Sequence, residues 1–454
     1  MTAADFGWGR IARLGLVQAM LGAVVVLTTS TLNRVMVVEL ALPALLPGLL
    51  VAWHYAVQLT RPRMGYGSDV GGRCTPWILG GVGVLALGGV GAALAVVLMA
   101  QHRAAGIALA VLSFSFIGLG VSACGTSLLV LLAKRVAEHR RAGAATVVWI
   151  MMIAGFAVTA GVAGSLLDPY SPARLLLVTT GIAVTAVVVA SVAMAGLEGA
   201  GSTAVSSDRP VRSEPQVPFR EAIAQVWDEP AARQFTVFVF ISMLAYSAQD
   251  LILEPFAGTV HVFTPGESTQ LSGVQHAGVL LGMIAAAVAG RRLAGHAMGS
   301  LRAWTVGGCA VSALALFALA SGGLGGVALP FKPTVFVLGV ANGAFSIAAI
   351  GSMMRLAGAG GGAREGVRMG LWGAAQAIAF ALGGLLGTAA SDLARYLIGA
   401  PSLAYATVFA LEGLLFVLSA RLAWRIGSTP ARSAPPMSVR SEHFPGAIEG
   451  RSAP

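Results

Sequence analysis

Three polar side chains interrupt an otherwise apolar run near residue 250. The i, i+4 spacing of Asp250 and Glu254 places both carboxyls on one face of a helix, and Gln249 adjoins them. Ionisable groups inside a membrane helix cost roughly 2.5 to 3.5 kcal/mol at its centre, so they usually have a function. Pro255 frees a backbone carbonyl beside them. We predict an intramembrane polar cluster that lines a cavity, carries a proton or caps a bent helix; if the span ends before Asp250, both acids face water instead.

A second polar set follows the first apolar run. Asn33, Arg34 and Glu39 lie shortly before Pro43, and the spacing of Arg34 and Glu39 allows an ion pair across a short kink. The pair either has a structural role or contacts a bound molecule or partner.

The sequence contains few features of enzymes or metal proteins. It has no nucleotide-binding P-loop, HExxH or GxSxG motif in a plausible setting, and Cys74, Cys124 and Cys309 are scattered without metal-like spacing. We therefore expect no catalytic residues, no metal site and no enzymatic activity. The net charge of +10 reports membrane topology first, so we expect no nucleic-acid partner.

The elements that position these residues are membrane helices, because 56% of the residues are hydrophobic and only 11% are charged. Runs of about 20 apolar residues can cross a bilayer. Twelve such runs fall near residues 12–32, 40–59, 77–99, 106–132, 144–167, 173–195, 234–254, 270–290, 302–322, 331–350, 367–390 and 403–424. The predicted fold is an all-α polytopic membrane protein.

The runs divide the chain into two six-helix halves. Residues 1–195 form the N-terminal bundle, 196–232 a cytoplasmic linker, 233–426 the C-terminal bundle and 427–454 a disordered basic tail. With both termini in the cytoplasm, 24 of the 29 lysine and arginine residues lie on the cytoplasmic side. That asymmetry supports the span count and the orientation.

This plan resembles the major facilitator superfamily, whose halves are repeats. The loop GYGSDVGGR, residues 65–73, is similar to the superfamily pattern between spans two and three. The resemblance implies that Gly65, Asp69, Gly72 and Arg73 form a cytoplasmic latch loop that helps to hold the halves together.

Two stretches resemble a narrower family. TTSTLNRVMVVELALP, residues 28–43, and YSAQDLILEPFAG, residues 246–258, are similar to signatures of the PucC and LhaA family, also called the bacteriochlorophyll delivery family. The resemblance covers residues 10–424. It implies a factor that assembles light-harvesting antenna complexes in the photosynthetic inner membrane of a phototroph, with bacteriochlorophyll or a precursor bound transiently.

The same resemblance implies partners. They are antenna polypeptides, bacteriochlorophyll synthase and the protein insertion machinery, besides membrane lipid, which the basic residues 134–141 can attract.

The implied bacteriochlorophyll requires a ligand for its magnesium. His54 and His276 lie within predicted spans, and a neutral imidazole can bind the magnesium of bacteriochlorophyll, although magnesium prefers oxygen ligands. With Asn33, Arg34 and Glu39 they are the pigment-binding candidates, but a packed, hydrogen-bonded histidine is the commoner outcome.

Two other functions remain open. One is a proton-coupled transporter of a small apolar or amphipathic solute, with Asp250 or Glu254 as the proton carrier. The other is a pigment-free assembly scaffold.

Overall fold

The computed structural model is a bundle of helices. It describes residues 6–61, 64, 73–198, 219–292, 296, 300–323, 330–358 and 365–426, and it contains no strand in these residues. Twelve helices form the bundle: α1 Trp8–Glu39, α2 Leu45–Val57, α3 Thr75–Met99, α4 Arg103–Arg135, α5 Glu138–Leu167, α6 Pro172–Met194, α7 Pro230–Val260, α8 Pro265–Arg292, α9 Leu301–Gly323, α10 Phe331–Gly358, α11 Glu365–Ile398 and α12 Pro401–Ile426.

Among the described residues, eleven of these helices are long and apolar enough to cross a membrane. The twelfth, α2, is shorter and continues as a 3-10 turn through Gln58–Thr60. The predicted all-helical membrane fold is confirmed, and the chain is a multi-pass membrane protein. Several helices run past their predicted ends: α1 continues to Glu39, α7 continues past Pro255 to Val260, α10 continues to Gly358 and α11 to Ile398.

Each half has its own apolar core. One core joins helices α1 to α6 and also includes Leu251 of α7, and the other joins α7 to α12. Between the halves, a short helix spans Phe219–Asp228 and buries Val226. Residues 199–218 of the linker and the tail from residue 427 lie outside the described residues, so the predicted domain boundaries and the disorder of the tail stay predictions.

The two ends of the bundle can be told apart by the chain termini. Trp8 lies against Arg140 at the start of α5 at 4.9 Å, and Trp424 lies against Arg302 at the start of α9 at 4.4 Å. The end of α5 meets the start of α8, and the two helices pack along each other, so the start of α5 lies near the end of α8, which leads into α9. The start of α1 and the end of α12 therefore lie at one end. We call this the proximal end and the opposite one the distal end. The positive charge of the proximal loops predicts that it faces the cytoplasm.

The halves meet along two helix pairs. Helix α2 packs along α11, and α5 packs along α8. Close approach requires glycine at these contacts: a Cβ on Gly48 would overlap the side chain of Thr388, and one on Gly273 would press on the backbone of Gly161. Small residues at interfaces let membrane helices pack at short range.

Candidate functional site between the halves

The second polar set occupies a distorted part of α1. Two π-helical turns, Leu27–Thr31 and Val35–Glu39, flank the short α-helical segment Leu32–Arg34. Each π turn inserts an extra residue and rotates the side chains that follow, and such turns are frequent at functional sites. The distortion turns polar side chains of α1 toward the other half.

Three of these side chains bond to the C-terminal half. The amide of Asn33 donates to the carbonyl of Leu251 at 2.7 Å, and the hydroxyl of Ser30 donates to the Glu254 carboxyl. The hydroxyl groups of Thr31 and Thr269 are 3.1 Å apart. All lie in the buried interior, so α1 is joined to α7 and α8 by polar contacts that water does not reach.

Arg34 extends this junction toward the distal end. Its guanidinium forms an ion pair with Glu39 and donates to the carbonyl of Phe263 at 2.5 Å. The side chain is 2% exposed, whereas that of Glu39 is 35% exposed. It lies beside Gly258 of α7, where a Cβ would meet the guanidinium at 3.0 Å.

Two aspartates at the distal end cap helices of the opposite half. Asp392, near the end of α11, accepts hydrogen bonds from the backbone N–H groups of Ala44 at 3.0 Å and Leu45 at 2.8 Å, where α2 begins. Asp168, just after α5, accepts from the Thr264 hydroxyl at 2.8 Å and from the Gly266 N–H at 3.2 Å, where α8 begins. A carboxylate is favourable at a helix N-terminus.

These caps are equivalent by the repeat of the fold. Helices α5 and α11 occupy matching places in the two halves, as do α2 and α8. The loops that lead into α2 and α8 match as well, because Ala41 with φ 47° and Val262 with φ 57° adopt left-handed backbone conformations. Such strain in residues other than glycine clusters at functional sites. Each half therefore caps the other in the same way.

Together these contacts close the distal end. Eight side-chain hydrogen bonds between described residues join α1, α2 or Asp168 to the C-terminal half. At the proximal end, Arg368 and Glu229 form an ion pair within the C-terminal half. In this structure the halves are held together at the distal end.

The other acid of α7 lies at the junction of the halves. Asp250 is only partly buried, and one of its oxygens accepts from Gln275 at 3.3 Å. It lies within electrostatic range of the hydroxyl groups of Tyr55 and Tyr246. The ring of Phe380 is 5.6 Å from that of Tyr55 and 6.0 Å from that of Tyr246. We call Tyr55, Tyr246, Asp250 and Phe380 the aromatic–carboxyl site.

The predicted histidines are enclosed. His54 is 3% exposed, its Nδ1 bonds to the carbonyl of Val51 at 2.7 Å, and its ring contacts Tyr55 and Phe114. His276 is 8% exposed, bonds to the carbonyl of Ser272 at 2.8 Å and meets Phe156 edge to face. Their pigment-ligand role stays a prediction.

Several buried polar atoms of the C-terminal half have no hydrogen-bond partner among the described residues. Both amide atoms of Gln249 and both carboxyl oxygens of Glu412 belong to this group, as does the second oxygen of Glu254. A buried polar group without a partner is costly. Gln249 therefore does not share the bonds of the other two members of the predicted α7 cluster.

Only one residue of the predicted latch loop falls in the described part of the chain. Gly65, Asp69 and Gly72 lie outside it, and the exposed Arg73 lies near Glu198 of the same half. The role of the loop in joining the halves stays a prediction.

Glu198 caps α3 from the end of the first half. Its carboxyl accepts from the backbone N–H of Cys74 at 2.5 Å and from Thr75, with N–H at 2.8 Å and hydroxyl at 2.5 Å. Burial raises the pKa of the Glu198 carboxyl, but the bonds from Thr75 and Cys74 and the charge of Arg73 together lower the pKa by more. The net pKa lies below its ordinary value.

Sequence reasoning missed Asp168, Asp392, Glu198 and Tyr55. Asp168 and Glu198 lie just beyond helix ends and Asp392 lies in the last turns of α11, where a charged residue is ordinary. Tyr55 looks like one more apolar residue of a span. A search for acids that precede a loop at matching places in the two halves would have found Asp168 and Asp392.

Comparison with solved structures identifies the fold. The D-xylose–proton symporter matches with a TM-score of 0.68 at 14% identity, over 92% of this chain and 97% of that chain. A bacterial homologue of the human lysosomal transporter Spinster matches with a TM-score of 0.66 at 14% identity, over 92% and 96%. The chain has the fold of major facilitator transporters.

Comparison of sequences gives the family. A protein named "Bacteriochlorophyll synthase 44.5 kDa chain" from Rhodobacter capsulatus is 51% identical over 94% of this chain and 97% of its own length. "Protein PucC" from the same species is 31% identical over 90% of each chain. Residues 31–430 match the family described as PUCC protein. The chain belongs to the PUCC protein family.

Proposed function

We propose that this chain assembles light-harvesting antenna complexes in a photosynthetic membrane, by binding bacteriochlorophyll or a precursor and passing it to antenna polypeptides. The observation that carries the proposal is the 51% identity, over nearly the whole length of both chains, to a relative whose name contains bacteriochlorophyll. The partly exposed aromatic–carboxyl site supports it, because its surface suits an amphipathic guest.

The proposed role is not enzymatic, although the same relative is named as a synthase chain. A subunit of that name can serve by holding the pigment beside the enzyme that makes it. Bacteriochlorophyll synthase is therefore a proposed partner, with the antenna polypeptides and the protein insertion machinery. Purified chain incubated with the substrates of the synthase should form no pigment.

The role is tested by deleting the gene in its phototrophic host. We expect antenna absorption to fall relative to that of the reaction centre, and the wild-type gene to restore it. Leu177→Ala, at a side chain 74% exposed on α6, is the matched control and should restore it equally. Unchanged antenna absorption and pigment content after deletion would contradict the role.

A proton-coupled transporter is the second candidate. It is favoured by the two carboxyls of α7, Asp250 and Glu254, which lie at the junction of the halves in a fold shared with a proton symporter. Solute-driven proton uptake by reconstituted protein that disappears in Asp250→Asn with Glu254→Gln would favour it. Antenna loss on deletion without any such uptake would exclude it.

A further inference from the structure

The aromatic–carboxyl site draws on both halves. Tyr55 comes from α2, and Tyr246, Asp250 and Phe380 come from α7 and α11. All four side chains are only partly buried, although they lie deep within the bundle. The rings of Tyr55 and Phe380 meet across the junction of the halves, so a guest bound beside these side chains would meet both halves at once.

Asp250 offers an oxygen to such a guest. Its Oδ1 accepts from Gln275, which is 3% exposed and fixes the carboxyl from α8. Its Oδ2 has no hydrogen-bond partner among the described residues, and this oxygen is not fully buried. The carboxyl is thus oriented by one oxygen and open at the other.

The other polar groups nearby are less accessible. Glu254 is 2% exposed and bonds to Ser30, and Glu412 is 3% exposed inside the C-terminal half. The imidazole rings of His54 and His276 are enclosed by their own helices and by aromatic neighbours. Asp250 is the acid of α7 that combines an oriented carboxyl with an accessible oxygen.

The neighbours of Asp250 suit a flat guest. The ring of Phe380 contacts the rings of Tyr55 and Tyr246 at angles of 36° and 67°, and such aromatic groups favour contact with the face or edge of a conjugated ring. Magnesium is a hard cation that prefers oxygen ligands, often one carboxylate with water. A flat macrocycle with magnesium at its centre combines the two features.

We propose that Asp250 is the ligand this chain offers to the central magnesium of a bacteriochlorophyll, with Tyr55, Tyr246 and Phe380 in contact with the macrocycle. The inference rests on the proposed function and names its binding site. Binding is ligand exchange: the carboxylate takes the place of a water on magnesium, that water leaves, and no bond within the pigment changes. Gln275 is a positioning residue, because it holds Asp250 without touching the pigment.

The test compares two pigments that differ in magnesium. Purified full-length protein in mild detergent is titrated with bacteriochlorophyll a and with magnesium-free bacteriopheophytin a, and binding is followed by quenching of tryptophan fluorescence. We expect the wild type to bind the magnesium pigment about tenfold more tightly or better. Asp250→Ala should bind both pigments alike, and Asp250→Glu should keep the preference.

Two further variants separate the contributions. Phe380→Leu should weaken binding of both pigments while keeping the preference, because it removes ring contact and leaves the carboxyl. Glu412→Gln, an enclosed acid of the same half, is the matched control and should behave as the wild type. Each variant is first shown to be monodisperse with wild-type helical content.

The outcomes distinguish the two proposals. Wild-type protein that binds neither pigment contradicts the pigment-binding role and this inference with it. Wild-type protein that binds both pigments equally overturns the inference alone. The same holds if Asp250→Ala keeps the preference for magnesium.

Discussion

The carboxyl of Asp392 caps the first turn of a helix in the other half of the molecule, accepting from the N–H groups of Ala44 and Leu45 at 3.0 and 2.8 Å. Asp168 likewise caps α8, accepting from the hydroxyl of Thr264 and from the N–H of Gly266. A helix N-terminus leaves several N–H groups without partners within the helix. Each cap satisfies part of that need only while the distal end is closed, so the caps favour the closed arrangement.

Removing both caps should open the distal end. Each is worth about 1 kcal/mol, so Asp168→Ala with Asp392→Ala should shift an opening equilibrium by roughly 30-fold. Spin labels at the exposed Leu166 of α5 and Tyr396 of α11 report the separation of the halves in nanodiscs. We expect a second, longer distance in the double variant.

Glu267→Ala is the control for these caps. Glu267 accepts from the N–H of Thr264 at 2.9 Å, so it caps α8 from within the same half. Its loss weakens the start of α8 but leaves the link between the halves, and the label distance should stay that of the wild type. An unchanged distance in the double aspartate variant would show that the caps do not hold the end closed.

Sequence reasoning reached the fold because its signals are local. Run length and charge asymmetry need no tertiary contact, and the i, i+4 spacing of Asp250 and Glu254 depends on one helix only. The partners of these acids could not be predicted, because they come from separate elements: Ser30 binds Glu254, and Gln275 binds Asp250.

The π turns of α1 could not be predicted from the sequence either. Helical periodicity assumes 3.6 residues per turn, and a π turn changes which side chains share a face. The sequence pattern therefore named Asn33, Arg34 and Glu39 but did not indicate that Asn33 would bond to Leu251 on α7.

Arg34 should matter more for stability than its ion pair alone suggests. Arg34→Ala removes the partner of Glu39 and the bond to the Phe263 carbonyl together, and we expect a loss of about 1 to 3 kcal/mol. Glu39→Ala should cost less, because Glu39 is 35% exposed and solvent weakens the pair. Thermal unfolding in detergent measures both.

The double variant Arg34→Ala with Glu39→Ala completes the cycle. If the ion pair carried the whole effect of Arg34, then Arg34→Ala, Glu39→Ala and the double variant would all lose the same amount of stability. We expect instead that Glu39→Ala retains most of the stability, because the bond from Arg34 to Phe263 remains.

Close packing at Gly48 should tolerate no added methyl group. A Cβ there would overlap the Thr388 side chain, whose β-branched form is stiff, so Gly48→Ala should destabilise the contact between α2 and α11 by about 1 to 3 kcal/mol. Thr388→Ala in the same chain should recover most of the loss. Gly83→Ala in α3, with open space around it, is the control and should not destabilise. A Gly48→Ala protein that melts as the wild type would refute the contact.

The stability of the proximal end should depend on pH through Glu198. Its pKa is lower than the ordinary value of 4.5, because the bonds from Cys74 and Thr75 and the charge of Arg73 outweigh the effect of burial. The folded protein therefore binds this proton more weakly than the unfolded chain. The carboxylate stabilises the fold above its unfolded pKa, and this contribution is lost as the pH falls through the folded pKa.

Glu198→Gln removes that titration. Its unfolding temperature should lie below that of the wild type at neutral pH, and the gap should narrow as the pH falls from about 7 to about 3. Asp228→Asn, at an exposed acid of the short linker helix, is the control and should follow the wild type at every pH. A gap that stays constant over this range would mean that the carboxylate charge of Glu198 does not hold the start of α3, and that the side chain contributes through packing alone.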